Sequence, residues 1–181
     1  MKKILLISII VFSAIFANAQ WQQTNGPYGG FVTCLAVSGS NIFAGTNGEG
    51  LFLSTDNGNN WIAVNNGLTN YVVHSLAVSG SNIFAGTDDG GVFFSTDNGS
   101  NWSDVSIGLP NSYVFSLAVS GSNIFAGTSG GVYLSTDNGS NWIAVNNGLT
   151  NFLISSLVVS GTNIFAGTYG GVFLSTDNGS N

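Results

Sequence analysis

One block of sequence occurs four times in this chain and fixes what it can fold into. Asn-Ile-Phe-Ala-Gly-Thr begins at Asn41, Asn82, Asn123 and Asn163. Each copy runs through a Gly-rich turn into Ser-Thr-Asp-Asn-Gly. The Asp of that second motif falls at Asp56, Asp97, Asp137 and Asp177, a period of 40 to 41 residues. A fixed period of this size means one supersecondary unit copied in tandem. The repeats run near 21–61, 62–102, 103–142 and 143–181.

Each repeat is rich in Val, Ile, Phe, Thr and Gly, with turn residues every eight to twelve positions and no helical periodicity. In the second copy, strands are expected over 72–79, 82–87, 92–96 and 102–106. They are joined by Gly80-Ser81, by Asp88-Asp89-Gly90-Gly91 and by Asp97-Asn98-Gly99-Ser100-Asn101. Four short antiparallel strands per 40 residues are the unit of a β-propeller blade, so an all-β propeller of four repeats is expected. A β-solenoid fits less well, because it has a shorter period and no recurring hairpins. Strands apolar on both faces suit sheets sandwiched between neighbouring blades. They reconcile 44% hydrophobic with 6% charged residues.

The N-terminus carries a different signal. Lys2 and Lys3 precede the apolar stretch 4–16, and Ala17-Asn18-Ala19 reads as a cleavage site before Gln20. This predicts a signal peptide over 1–19, a domain over 20–181, and a secreted, periplasmic or cell-surface protein with no membrane span after cleavage. Lys2 and Lys3 are the only basic residues, so the mature chain keeps eight acids and no Lys or Arg. Nucleic-acid binding and attraction to anionic lipid are excluded on charge. The lone cysteine, Cys34, forms no internal disulfide and aligns with Ser75, Ser116 and Ser156, as a small strand residue would.

The second motif resembles the Asp box of the bacterial-neuraminidase repeat. Ser54, Asp56, Gly58 and Trp61 set the pattern. Ser95, Asp97, Gly99, Trp102 and Ser135, Asp137, Gly139, Trp142 repeat it, and the fourth copy has Ser175, Asp177 and Gly179. Asp can bond the N–H groups of its own turn, Gly supplies a positive φ, and Trp opens the next strand with a large ring. The resemblance implies that the box joins the third and fourth strands of a blade, away from the functional face, as a structural staple. It also implies kinship with photosystem II assembly and stability factor-like proteins and with sortilin-type domains, which use the propeller as a docking platform. A sialidase reading fails, because that family needs an arginine cluster.

The repeats disagree at two connections, and those are the expected binding surface. One is the turn between the second and third strands; the other leads into the first strand. Together they hold Tyr28, Tyr71, Tyr113, Phe152 and Tyr169, with the acids Glu49, Asp88 and Asp89. Aromatic rings there suit a protein or carbohydrate partner. Glu49 with Asp88 or Asp89 is the alternative, a glycoside-hydrolase pair. No cofactor and no metal site is expected: the Asp-box loop lacks the later acid of a calcium loop. His74, the only histidine, aligns with Thr33, Phe115 and Ser155 without a partner His or Cys. Trp21 aligns with Trp61, Trp102 and Trp142, so its strand is expected either to complete the last blade or to begin a fragment of a longer array.

Overall fold

A computed structural model describes residues 21–110 and 113–180. The expected signal peptide lies outside them. The described residues form strands only: β1 (Phe31–Ser38), β2 (Asn41–Asn47), β3 (Leu51–Ser54) and β4 (Ile62–Ala63) make the first sheet. The second holds β5 (Val73–Ser79), β6 (Asn82–Thr87), β7 (Val92–Ser95) and β8 (Ser103–Asp104). The third holds β9 (Val114–Ser120), β10 (Asn123–Thr128), β11 (Gly131–Ser135) and β12 (Ile143–Ala144). The fourth has three strands, β13 (Ile154–Ser160), β14 (Asn163–Thr168) and β15 (Gly171–Ser175). All pairings are antiparallel and follow chain order, as in the blades of a propeller.

The outermost strand is shorter than its sequence suggests. Beyond Trp102 only Ser103 and Asp104 pair, with Phe94 and Phe93. Both are exposed, so nothing outside the sheet holds a longer ladder.

The core lies between the sheets rather than within any one of them. The first cluster joins Phe43, Leu51 and Leu68 of blade 1 to Val73, Ile83, Ala85 and Trp102 of blade 2. The second joins Phe84 and Val92 of blade 2 to Ile124, Ala126, Tyr133 and Trp142 of blade 3. The third joins Phe125 and Val132 to Ile154, Ile164 and Ala166. The hexapeptide is written for this. Ile83 and Ala85 face one seam, and Phe84 faces the other. Each buried Phe is worth about 1.5–3 kcal/mol of transfer free energy.

The glycine of the hexapeptide has the same origin. A Cβ on Gly45 would lie 2.8 Å from Val73 Cγ1, on Gly86 2.6 Å from Val114 Cγ1, and on Gly127 2.7 Å from Ile154 Cγ2. In each case the first strand of the next blade crosses at that point. Gly167 meets only Ser155 and Ser156 of its own blade. The first strands β1, β5, β9 and β13 pack one on the next, but β13 and β1 do not pack in this way. Among the described residues the four blades therefore form an arc with two uncovered end faces. Leu35 and Val37 are exposed at one end, Val172 and Leu174 at the other.

Candidate binding site

Register sorts the connections between the two ends of the arc. Phe31 pairs with Asn47, and Gly45 with Leu51, so the loop entering β1 and the β2–β3 turn share one end. The β1–β2 turn and the Asp box lie at the other. Buried threonines hold the first set of turns. Thr46, Thr87 and Thr128 donate Oγ1–H to the carbonyls of Gly50, Gly91 and Gly131 at 2.8, 3.0 and 3.0 Å. Blade 2 supports the turn of blade 1, since the Tyr71 carbonyl accepts the N–H groups of Gly48 and Gly50.

At this end the four first strands converge on a funnel of about 470 Å³. Its wall takes residues from every blade: Phe31, Val32 and Thr33, then His74, then Phe115, then Leu153, Ser155 and Tyr169. The aligned positions Thr33, His74, Phe115 and Ser155 thus form one tier around the axis. Rings line part of it. His74 lies 5.5 Å from Phe115 at 49°, and Phe115 stacks on Tyr113 at 6.4 Å and 22°. His74 Nε2 is 3.3 Å from Asp88 Oδ1, within ion-pair reach but without hydrogen-bond geometry.

Of the five aromatics expected to bind, Tyr169 lines the funnel and Tyr113 touches it through Phe115. Tyr28, Tyr71 and Phe152 are exposed outside its lining. Tyr28 makes a 3.5 Å contact with Asn25. The three acids are not gathered into the funnel either. Glu49 is exposed, and its backbone groups bind Thr46 and Asn65. Asp89 is exposed with φ 58. Sequence reasoning missed His74, Phe115 and Thr33 as wall residues. The signal was present, because they occupy one aligned position and differ there while their neighbours repeat. Among the described residues no group of three or more His, Cys, Asp or Glu gathers to hold a metal. No helix among them is long and apolar enough to cross a membrane.

The Ser-Thr-Asp-Asn-Gly turns occupy the opposite end and spend their bonds on themselves. Asp97 Oδ1 accepts the Ser95 hydroxyl and the Asn101 N–H, each at 2.9 Å, and Oδ2 accepts the Asn101 side-chain amide at 2.7 Å. Ser95 Oγ in turn accepts the buried Gly99 N–H at 2.9 Å. Asp56 and Asp137 repeat the set. In the fourth copy Ser175 bonds Asp177 at 3.0 Å and receives Gly179 N–H. The Asn after each Asp takes a left-handed φ, as at Asn57, Asn98, Asn138 and Asn178, and the following Gly does so too. That double turn is why Asn-Gly is written there.

These bonds set an acid limit. The carboxyls of Asp56, Asp97 and Asp137 are held below the ordinary aspartate range, first by the side-chain amide of Asn60, Asn101 or Asn141 and next by its backbone N–H. With native values depressed, the unfolded chain takes up protons first as pH falls. The stabilisation is complete above the unfolded value of about 3.9 and is lost as pH falls through the native values. The melting temperature is expected to drop below about pH 4, with a shallower slope when Asp97 and Asp137 are both changed to Asn. A slope unchanged in that double variant would remove the boxes as its cause.

The sequence matches no protein-family model and no curated protein. Solved structures do resemble it. An ancestral GH74 enzyme superposes with a TM-score of 0.71 at 24% identity, over 89% of this chain and 25% of that one. A computationally designed protein, Ika4, gives 0.70 at 16%, over 86% and 96%. YCF48 from Cyanidioschyzon merolae gives 0.68 at 18%, over 88% and 58%. The chain thus spans about a quarter of the GH74 enzyme and little more than half of YCF48. At these identities the likeness establishes the fold, a β-propeller of four Asn-Ile-Phe-Ala-Gly-Thr blades.

Proposed function

We propose that the protein is an exported, non-enzymatic propeller that holds a glycan or protein ligand in the funnel at the loop end. One observation carries this reading: all four blades contribute rings and hydroxyls to one concave wall that contains no acid. Aromatic faces cover the apolar side of a sugar or a peptide side chain, and Thr33, Ser155 and His74 supply the few polar contacts that orient it. A mature chain with eight acids and no Lys or Arg disfavours an anionic ligand. Residues 1–19, read as a signal peptide, support export, and N-terminal sequencing of the secreted protein should begin at Gln20.

Xyloglucan oligosaccharides are a rational first probe, because a GH74 xyloglucanase from Xanthomonas campestris is among the structural relatives. Calorimetric titration is expected to show binding that weakens about tenfold in Phe115→Ala or Tyr169→Ala and is unchanged in Tyr28→Ala. Neutral glycans and peptides that all fail to bind, or equal losses in all three variants, would sink the funnel as the site. The second reading is a glycoside hydrolase using Glu49 with Asp88 or Asp89, favoured by GH74 enzymes sharing the fold. It requires sugar release from a polysaccharide panel, abolished by Glu49→Gln.

A further inference from the structure

The funnel wall holds no acid, yet one carboxylate stands against it. Asp88 opens the β6–β7 turn, at the end of the arc where the funnel lies. Its backbone is held on both sides. The Asp88 N–H donates to the Val72 carbonyl at 2.9 Å, and the Asp88 carbonyl accepts the Asn70 side-chain amide. The side chain is 40% exposed, and its polar neighbour is the buried Nε2 of His74 at 3.3 Å, without hydrogen-bond geometry. Residues 21–181 hold no Lys or Arg, so no stronger cation of the chain competes for this carboxylate.

Beside it the wall is aromatic and aliphatic. His74 packs near Phe115, and Phe115 is half-buried and stacked on Tyr113. Val32 and Leu153 add aliphatic surface.

The hydroxyls of the wall point their protons inward. Thr33 Oγ1 donates to the carbonyls of Gly45 and Val73, and Ser155 Oγ donates to the Gly167 carbonyl at 3.1 Å. A hydroxyl has one proton to give, so each of these shows a ligand its lone pairs. The polar groups of the wall and its rim therefore accept more than they donate.

We propose that the group held in this funnel is the side chain of a lysine from a partner protein. The proposal rests on the funnel as the binding site and narrows its ligand. The stem of the lysine lies along Val32, Phe115 and Leu153, and the ammonium meets the Phe115 face and the Asp88 carboxylate. An ammonium has three donors and no acceptor, which matches a wall of lone pairs. A guanidinium fits less well, because its fork wants both carboxylate oxygens and His74 already lies against Oδ1. An amino sugar carries the same charge on a ring of hydroxyls, and that ring needs donors which this wall has turned inward.

Calorimetric titration of the whole protein tests this with three probes: a Gly-Lys-Gly peptide blocked at both ends, the same peptide with Nε-acetylated lysine, and a glucosamine oligomer. About 0.15 M salt screens exposed charges more than about 8 Å apart. The lysine peptide is expected to bind, and to lose about tenfold or more on acetylation, in Asp88→Asn and in Phe115→Ala. Asp104→Asn removes the same charge from the outer strand β8, where the amide oxygen can still accept the Ser106 bonds, and should leave affinity unchanged. The proposal is overturned by a lysine peptide that does not bind, by acetylated peptide binding as tightly, or by equal losses in Asp88→Asn and Asp104→Asn. A glucosamine oligomer binding more tightly than the lysine peptide also overturns it, and assigns the ammonium to a glycan. In each of these cases the funnel itself stands where binding of any probe or neutral glycan still weakens in Phe115→Ala. It falls with the proposal where none does.

Discussion

Replacing Trp142 with alanine is expected to destabilise the protein by about 3–5 kcal/mol, the range for truncating a buried aromatic. The indole is 4% exposed and lies in the cluster that joins blades 2 and 3. Its removal deletes the packing of a large ring, leaves a cavity, and strips the Val105 carbonyl of its donor. Among the described residues the strands of adjacent blades pair only at one bridge, Asn47 to Val72, so seam packing and the loop hydrogen bonds across it couple the blades. In a repeat protein the stability is a sum of blade terms and nearest-neighbour terms, and this substitution removes mainly a neighbour term. Urea denaturation of Trp142→Ala should therefore show a lower midpoint and a broader transition as blades 1–2 and 3–4 separate. Trp61→Ala is the internal control. Trp61 is only half-buried and its indole donates to Gly58 of its own turn at 3.2 Å, so its loss should be clearly smaller. Equal losses at the two positions would mean that the indoles stabilise their own turns rather than the seams.

The same comparison shows which parts of the molecule were legible in the sequence. Architecture was, because a period of 40 residues with turn chemistry at fixed offsets leaves few ways to fold. The Ser-Thr-Asp-Asn-Gly turn was, because Asp, Gly and Asn act on their own backbone within five residues. The funnel was not. Its wall depends on where four separate first strands meet, and period-2 alternation cannot identify the axial face when both faces of a strand are apolar. His74 therefore read as a tolerated strand residue, although the arc sets it between Phe115 and Asp88. The loop aromatics divide for a related reason. Variation between copies marks a residue as free of the repeat's packing rules, and both a ligand contact and plain exposure satisfy that. Tyr169 lines the funnel, whereas Tyr28 is exposed outside it.

Gly86→Ala should separate blade-forming from seam-forming constraints in a single methyl group. A Cβ there would lie 2.5 Å from Ser75 Oγ and 2.6 Å from Val114 Cγ1. Ser75 belongs to the paired strand of the same blade and its hydroxyl can turn away. Val114 is β-branched, fully buried, and fixed at the start of β9, so it cannot. Either blade 3 moves back or Val114 leaves its rotamer, and overpacking of this kind costs about 1–3 kcal/mol. Alanine's lower unfolded-state entropy offsets only about 0.4–1 kcal/mol of that. Gly167→Ala places the same methyl at the same point of the hexapeptide in blade 4, where the contacts are the serine hydroxyls of Ser155 and Ser156 and no following blade crosses. It should be near neutral or slightly stabilising. Thermal melts of both variants measure the difference. Two alanines with the same effect would show that the glycine serves the strand itself, and that the crossing of the next blade is not what selects it.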